Sequence, residues 1–379
     1  MHSNPLYDVI IIGGGIAGLS AAIRLASLQH KVLVLEKDIY PKHKVCGEYI
    51  SMESGPFLRS LGLQFHTMQL PQISKLHVTD NRGNEVKATL TQGGIGISRY
   101  KLDAALAELA EQAGATIITK ARVDSVDMYH EQFSVTAAGQ TYIAKAVCGT
   151  WGKRSNMDVK WQRKFLDKTG SKLSNYIGIK HHISYPWPQD LVAMHNFPGG
   201  YCGVSPVEDG RTCFCYLTTA ASLSACGNDI KQLESTVLGS NPWLKEILSK
   251  AELLYQSPLA ISQISFDKKE PVYQHVLMLG DAAGMITPLC GKGMSMALRS
   301  ARLATEQLHG FLSGDISRIQ MEQQYTATWN LHFSRRLSIG RMVQRMFGRG
   351  NTTALFLKAA NAVPALKTAL INSTNGTPF

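Results

Sequence analysis

The run Gly13-Gly14-Gly15-Ile16-Ala17-Gly18 restricts this chain more than any other stretch of its 379 residues. It satisfies G-x-G-x-x-G directly after Asp8 to Ile12, which reads as a short buried strand. It also opens Ile16 to Leu28, whose Ile16, Leu19, Ile23 and Ala26 share one face at helical spacing. Lys31 to Leu35 reads as the next parallel strand, and Glu36 ends it about twenty residues beyond the glycines. Strand, glycine turn, helix and strand within about thirty residues make a βαβ unit with a right-handed crossover. Gly13 suits the tight turn, Gly15 the approach of backbone to a pyrophosphate, and Gly18 the close packing of helix on strand. The helix N-terminus presents unpaired N–H groups and partial positive charge to phosphates. Glu36 is placed to accept hydrogen bonds from ribose hydroxyls, so a dinucleotide is the implied ligand.

A second glycine cluster, Leu279-Gly280-Asp281-Ala282-Ala283-Gly284 with Pro288, Gly291 and Gly293, follows the apolar strand Val276 to Leu279 and precedes a helix over Gly293 to Leu308. With both clusters the chain resembles the FAD-dependent group that includes the aromatic hydroxylases, flavin-dependent halogenases and geranylgeranyl reductases. The resemblance implies that Asp281 bonds the ribityl chain of FAD. It also implies that the helix after the glycines aims its N-terminus at the flavin pyrimidine edge, where negative charge on the reduced ring would be stabilised. Cofactor contacts are expected from Gly13, Gly15, Ile16, Ala17, Gly18, Glu36, Lys37, Cys46, Gly47, Arg99, Val123, Asp281, Gly291, Gly293 and Met294. Arg99 heads a predicted helix over Arg99 to Ala113, where the family commonly places an arginine near the pyrophosphate. Taken alone, a solvated helix-start arginine is the commoner explanation.

Several departures narrow the branch. Gly284 stands where the hydroxylases usually carry His, and no W-x-W-x-I-P halogenase signature is present. Pro41-Lys42-His43-Lys44-Val45-Cys46-Gly47-Glu48 is similar to the P-x-x-K-x-C-G-G segment of geranylgeranyl reductases, the nearest branch, but has Glu48 at the last glycine. Trp151 occupies the acidic position of the G-A-D-G-x-x-S segment typical of the hydroxylases. Cys46 is the candidate catalytic proton donor or substrate contact, with Lys44 lowering its pKa and Glu48 opposing; a packing thiol in an irregular connection over Pro41 to Ser54 is the equal alternative. His43, His181 and His182 are candidate general acids, although isolated histidines are more often structural. Tyr201, in the aromatic-glycine stretch Gly199 to Val204, and Pro288 are expected in the substrate pocket.

The fold class is therefore α/β: a Rossmann-like FAD-binding domain over 1–75, 98–165 and 270–310, an inserted antiparallel β-sheet substrate domain over 76–97 and 166–269, and a helical C-terminal segment over 311–379 with Pro364 as a local break. Tyr176 to Thr219, rich in β-branched and aromatic residues, supplies the inserted sheet. Seven cysteines without metal-ligand spacing suggest neither a disulfide framework nor a metal site, and a reducing cytoplasm.

The net charge of +11 is concentrated late, with Arg335, Arg336, Arg341, Arg345, Arg349, Lys358 and Lys367 following the last acidic residue, Glu322. Such a field attracts NADPH, an anionic substrate or anionic lipid; no motif for nucleic acid accompanies it. Arg341, Arg345 and Arg349 lie opposite Met342, Val343, Met346 and Phe347, so the 335–350 stretch either packs on the parent domain, the commoner outcome, or touches the inner face of a membrane. Val9 to Ile23 is too short to span a bilayer and reads as no signal peptide. A monomer or dimer is expected.

The expected activity is that of an oxidoreductase in which NADPH or NADH reduces FAD and the flavin then reduces a carbon–carbon double bond in a hydrophobic small molecule. The alternative is oxygen-dependent hydroxylation of a phenolic or polyketide-like lipid, which requires a water-poor pocket. An electron-transfer module without substrate turnover is the third reading.

Overall fold

Leu6–Ile12 and Val32–Leu35 are almost wholly aliphatic, the pattern of strands covered on both faces, and from Val9 to Ile12 and Val32 to Leu35 every side chain is buried. The computed structural model describes residues 6–166, 175–346, 350–362 and 376–379. Within them the two strands pair in parallel, Val9 opposite Val32 and Ile12 opposite Leu35. The sheet around them runs Val272–Tyr273, Val276–Met278, Gln140–Gly149, Leu6–Ile12, Val32–Leu35, Thr116–Ile118, with the antiparallel pair Val123–Tyr129 and Gln132–Ala137 on one side. Helix Ile16–Ser27 packs between helices Arg99–Gln112 and Gly293–Leu312, with Leu19, Ala21, Ala22 and Leu25 fully enclosed. The mixed α/β architecture expected from the residue pattern is the one observed.

The second sheet runs Glu252–Leu253, Tyr176–Ser184, Thr212–Thr219, Gly200–Pro206, Leu191–Phe197, Gln72–Thr79, Glu85–Gly96, Tyr49–Ser51, and Leu259–Ile264 also pairs with Tyr176–Ser184. Its pairings are antiparallel except for Leu191–Phe197 against Gln72–Thr79. One expectation fails here. The connection Pro41 to Ser54 is not irregular throughout, because Tyr49–Ser51 forms an edge strand and Met52–Ser54 a 3-10 turn. Tyr49 pairs with Gly96 and Ser51 with Gly94, and a Cβ at Gly94 would collide with the Tyr49 ring. The strand exists because a distant glycine leaves room for it, which nothing local reveals.

Helix Arg318–Met346 returns along the first sheet, where Tyr325 donates its hydroxyl proton to the Met278 carbonyl at 2.6 Å and Trp329 and Phe333 are buried. Near its end the expected apolar face is split: Val343 is buried, whereas Met342 is 54% exposed. Arg349, Phe347, Pro364 and Lys367 lie outside the described residues, as does the side chain of Met346. Leu357, on helix Gly350–Ala362, is buried against Val78 and Val86 of the second sheet. No helix among the described residues is long and apolar enough to cross a membrane.

Candidate active site

Gly13 holds φ at +108°, and a Cβ there would lie 2.8 Å from the Thr150 carbonyl oxygen; a Cβ on Gly18 would collide with the carbonyl oxygen of Gly13. Their bare backbones let the turn press onto the neighbouring strand. Helix Ile16–Ser27 begins at Gly15 with no side-chain cap and no acidic residue in its first turn, so its leading N–H groups face the cavity uncompensated. Lys44 Nζ and an Arg99 guanidinium nitrogen stand 3.4 and 3.6 Å from where a Gly15 Cβ would sit. Arg99 is fixed there by a bidentate pair to Asp103 at 2.8 and 2.7 Å, which Lys44 also approaches at 3.6 Å. Burial, reinforced by Arg99, pushes the Lys44 amine down to about 8. Two cations and a bare glycine turn thus form a cationic cradle at the head of the helix.

Glu36 Oε2 accepts from the Gly14 N–H at 2.7 Å and Oε1 from Lys42 Nζ at 2.6 Å. Burial pushes its carboxyl up, but Lys44 and Lys42 outweigh that and hold it below its usual value. On the far side, Gly280 and Gly291 take φ of +60° and +62°, and helix Gly293–Leu312 starts without a side-chain cap. Burial pushes the Asp281 carboxyl up, with Lys269, Lys153 and Arg99 pulling against it. Lys269 donates to the carbonyl oxygens of Asp281 at 2.8 Å and Lys153 at 2.7 Å, tying the two loops together.

Between these halves lies the loop 46–48. Glu48 is buried with φ +56°, a left-handed backbone that favours glycine. Its Oε1 accepts from the Arg99 backbone N–H at 2.7 Å and from Lys180 Nζ, and its Oε2 from His182 Nε2 at 2.6 Å. Lys180 and His182 are two apart on one strand and so share a face. Burial raises the Glu48 carboxyl, yet its bonds to His182 and Lys180 hold it below its usual value, while the Glu48 carboxylate helps to raise Lys180 against burial. The pair is therefore ionised. His181 turns to the other face, where its Nε2 meets Glu234 at 2.7 Å, away from the cavity.

Cys46 Sγ accepts from the Glu48 N–H at 3.4 Å. Burial is the largest influence on its thiol and pushes it up; Glu48 adds to this, and the opposing cations are Arg99 and Lys180. The expected activation by Lys44 is thus absent, and Cys46 is a neutral thiol, suited to giving a proton rather than attacking as thiolate. Glu48, His182 and Cys213 bring ligand atoms within 4.8 Å of one another. Lys180 already neutralises the carboxylate, and burial keeps the Cys213 thiol protonated as it donates to the Cys46 carbonyl at 3.3 Å, so this is a hydrogen-bonded cluster rather than a ligand set.

All three regions line one cavity of about 1010 Å³. Its further wall is apolar, built from Leu76, Val78, Val192, Met194, Leu217 and Ile264, with Leu357 and Val343 from the C-terminal helices.

The sequence profile of the family "FAD dependent oxidoreductase" matches residues 8–44, the first strand, helix and cradle. The chain is an FAD-dependent oxidoreductase. Similar proteins include a menaquinone reductase of Mycobacterium tuberculosis, 24% identical over 98% of this chain and 90% of its own, and conditioned medium factor receptor 1 of Dictyostelium discoideum, 23% identical over 88% and 69%. Among solved structures, the flavin-dependent brominase Bmp2 superposes with a TM-score of 0.79 at 17% identity, covering 99% of this chain and 94% of its own. A geranylgeranyl bacteriochlorophyll reductase-like protein of Thermoplasma acidophilum gives 0.75 at 19% identity, covering 91% and 88%. These likenesses establish the fold of the oxidoreductase.

The cavity of the oxidoreductase is lined by Gly13, Gly15, Ile16, Ala17, Glu36, Lys37, Cys46, Gly47, Arg99, Val123, Asp281, Gly291, Gly293 and Met294, and also by Tyr201 and Pro288. Gly18 is not on the wall and acts through packing. Tyr201 is buried, its hydroxyl 3.5 Å from Thr287 Oγ1. Trp151, at the acidic position, donates its Nε1 proton to Asp158 at 3.1 Å. Residue reading missed Lys180 as a partner of Glu48, and Lys153, whose amine burial pushes down to about 7 against Asp281 and Cys215. The spacing of Lys180 and His182 was visible, but no local signal ties it to Glu48, 132 and 134 residues away.

Proposed function

We propose that this oxidoreductase reduces a carbon–carbon double bond in a hydrophobic, isoprenoid-like molecule, drawing electrons from NADPH or NADH. The observation that carries the reading is the continuous apolar wall, Leu76, Val78, Val192, Met194 and Leu217, leading away from the glycine motifs. Burying a methylene contributes roughly 0.8 kcal/mol, so a few prenyl units against this wall suffice for binding. The menaquinone reductase relative supports reductive chemistry, and the geranylgeranyl bacteriochlorophyll reductase-like neighbour supports an isoprenoid substrate.

The cradle fits FAD: bare glycine backbone, uncapped helix N–H groups and paired cations at Gly15, and a carboxylate at each end. Bound there, FAD would supply the two-electron chemistry. Lys44, Arg99 and the N-terminus of helix Ile16–Ser27 would hold the pyrophosphate, Glu36 the adenosine ribose, and Asp281 the ribityl chain. The apolar wall would orient the alkene and exclude water. Cys46, a protonated thiol on the cavity wall, would give the proton to the reduced carbon.

Anaerobic incubation of the reduced holoenzyme with geranylgeranyl diphosphate and with a short-chain menaquinone, followed by mass spectrometry, tests the reading. A product richer by two hydrogens without oxygen is expected. A product heavier by one oxygen atom, formed only in air, would replace the reading with the hydroxylase alternative.

A further inference from the structure

Residues 253–266 contain no Asp, Glu, Lys or Arg. In a buried strand that would be ordinary, but Leu253, Leu254, Tyr255, Leu259 and Ile261 are between 37% and 49% exposed. These side chains, so close in sequence, make a strip rather than the scattered singles normal on a surface. Leu259–Ile264 pairs with Tyr176–Ser184 along one edge, and no strand among the described residues pairs with its other edge. Such an open edge is usually guarded by charge; here only Pro258, just before the strand, guards it.

The strip joins the outer surface to the cavity. Leu253, Leu254 and Tyr255 are not on the cavity wall, whereas Leu259, Ile261 and Ile264 are. Tyr255 stands edge to face with His43, ring centroids 5.0 Å apart, and His43, itself on the wall, stacks on the exposed Tyr100 at 4.6 Å. Tyrosines, with an apolar body and a polar tip, favour the boundary between water and hydrocarbon. The exposed charges adjoining the strip in sequence are Lys250, Glu252 and Lys268, and the exposed Arg154 donates to the Gln263 side chain. Lys250 is paired with Glu246 at 2.8 Å, which leaves Arg154 and Lys268 against one carboxylate, Glu252, and a positive balance.

We propose that this strip rests on an anionic lipid surface and that the substrate passes along it from membrane to cavity. The passage rests on the reductase reading, with its lipophilic substrate; the lipid contact stands on the strip itself. A second copy paired edge to edge would cover the same residues, but it would bring the same positive border against itself and cover part of the cavity wall. Anionic headgroups complement Arg154 and Lys268, and the acyl boundary takes up the leucines. Interfacial water and headgroups satisfy the open strand edge, which pure hydrocarbon could not. The 335–350 stretch offers less to a membrane, since Leu337 and Val343 are buried.

The test sediments the FAD-loaded protein with vesicles of phosphatidylcholine alone and of equal parts phosphatidylcholine and phosphatidylglycerol. Binding is expected on both and tighter on the mixed vesicles. Leu253→Glu with Leu254→Glu alters two side chains outside the cavity and is expected to weaken binding to mixed vesicles by roughly thirtyfold, with flavin content unchanged. Arg154→Gln is expected to weaken it by about fivefold on mixed vesicles and to leave binding to phosphatidylcholine unchanged. Should the double variant fail to hold FAD, Leu253→Ser alone is read in its place, with about a fivefold loss expected. Wild-type protein that stays in the supernatant with mixed vesicles overturns the contact, as does a folded double variant that binds like wild type. Loss of binding in Met342→Glu with none in the double variant would move the contact to 335–350 and overturn it too. So would a lipid-free dimer that the double variant turns into a monomer, which assigns the strip to a second copy. Vesicle binding needs no turnover: a protein that binds vesicles yet reduces no alkene sinks the reductase reading and keeps the contact, whereas one that reduces alkenes and ignores vesicles does the reverse.

Discussion

The cradle at Gly13–Glu36 and the loop at Cys46–Glu48 lie on the same cavity, yet they are built by opposite means. In the cradle, the glycine turn sits within a strand, a turn and a helix adjacent in sequence, with Lys44 and Arg99 added from outside, and its glycines act by what they lack. The loop is held from far away: a buried carboxylate in a left-handed backbone, an ammonium and an imidazole from the second sheet, and a backbone N–H from the Arg99 helix. The first arrangement is robust because it is local and backbone-based. The second depends on every partner being present, since a buried charge that loses its counterion costs more than the pair contributes.

Removing one member of the loop cluster is the hardest blow to that contrast. Lys180→Met is expected to destabilise the protein by about 3 to 5 kcal/mol in chemical denaturation, by stranding the Glu48 carboxylate. Adding Glu48→Gly should recover most of that loss, because glycine also suits φ +56°. An additive double mutant would mean that the two residues are not coupled.

A cradle change should act on the cofactor as well. Gly18→Val is expected to cost about 3 kcal/mol and to yield protein without bound flavin, since its Cβ would meet the Gly13 carbonyl. A yellow, stable variant would show that the turn yields more easily than its packing implies.

Titration sharpens the comparison further. Glu48 is held below its ordinary value of 4.5, so its contribution is present above that pH and fades as pH falls through the folded value. Glu48→Gln should therefore flatten the acid limb of a Tm-against-pH curve. Lys44 works in the other sense: its charged form attracts the cofactor anion and is lost as pH rises through about 8. FAD affinity measured by fluorescence should weaken above that pH, and Lys44→Met should remove the dependence while lowering affinity by roughly tenfold, the scale of one ion pair.

The smallest change is at sulfur. Cys46→Ser is expected to leave flavin content intact and lower turnover, with full turnover ending its role as proton donor.

Much of the cradle could be read directly. The apolar runs, the helical spacing and the positions of Gly13, Gly15, Gly18 and Glu36 are short-range consequences of how a strand, a turn and a helix connect. Arg99 is ambiguous in the chain; in the fold it is paired to Asp103, one helical turn on, and stands on the cavity wall beside Gly15. Tyr49–Ser51 escaped because a three-residue edge strand carries almost no periodicity, and its existence depends on Gly94 and Gly96. Sequence proximity points to Lys44 as the influence on Cys46, whereas burial dominates it, and burial is a property of everything packed around an atom.

The letters alone were enough for a two-motif flavin frame, because glycine geometry and strand–helix alternation act over a handful of bonds. Folding was needed to bring Lys180 and His182 onto Glu48 and to seat the apolar wall in the same cavity as the glycines. Charge pairing, desolvation and cavity shape depend on distances in space, and residues more than a hundred positions apart acquire those distances only once both sheets have formed.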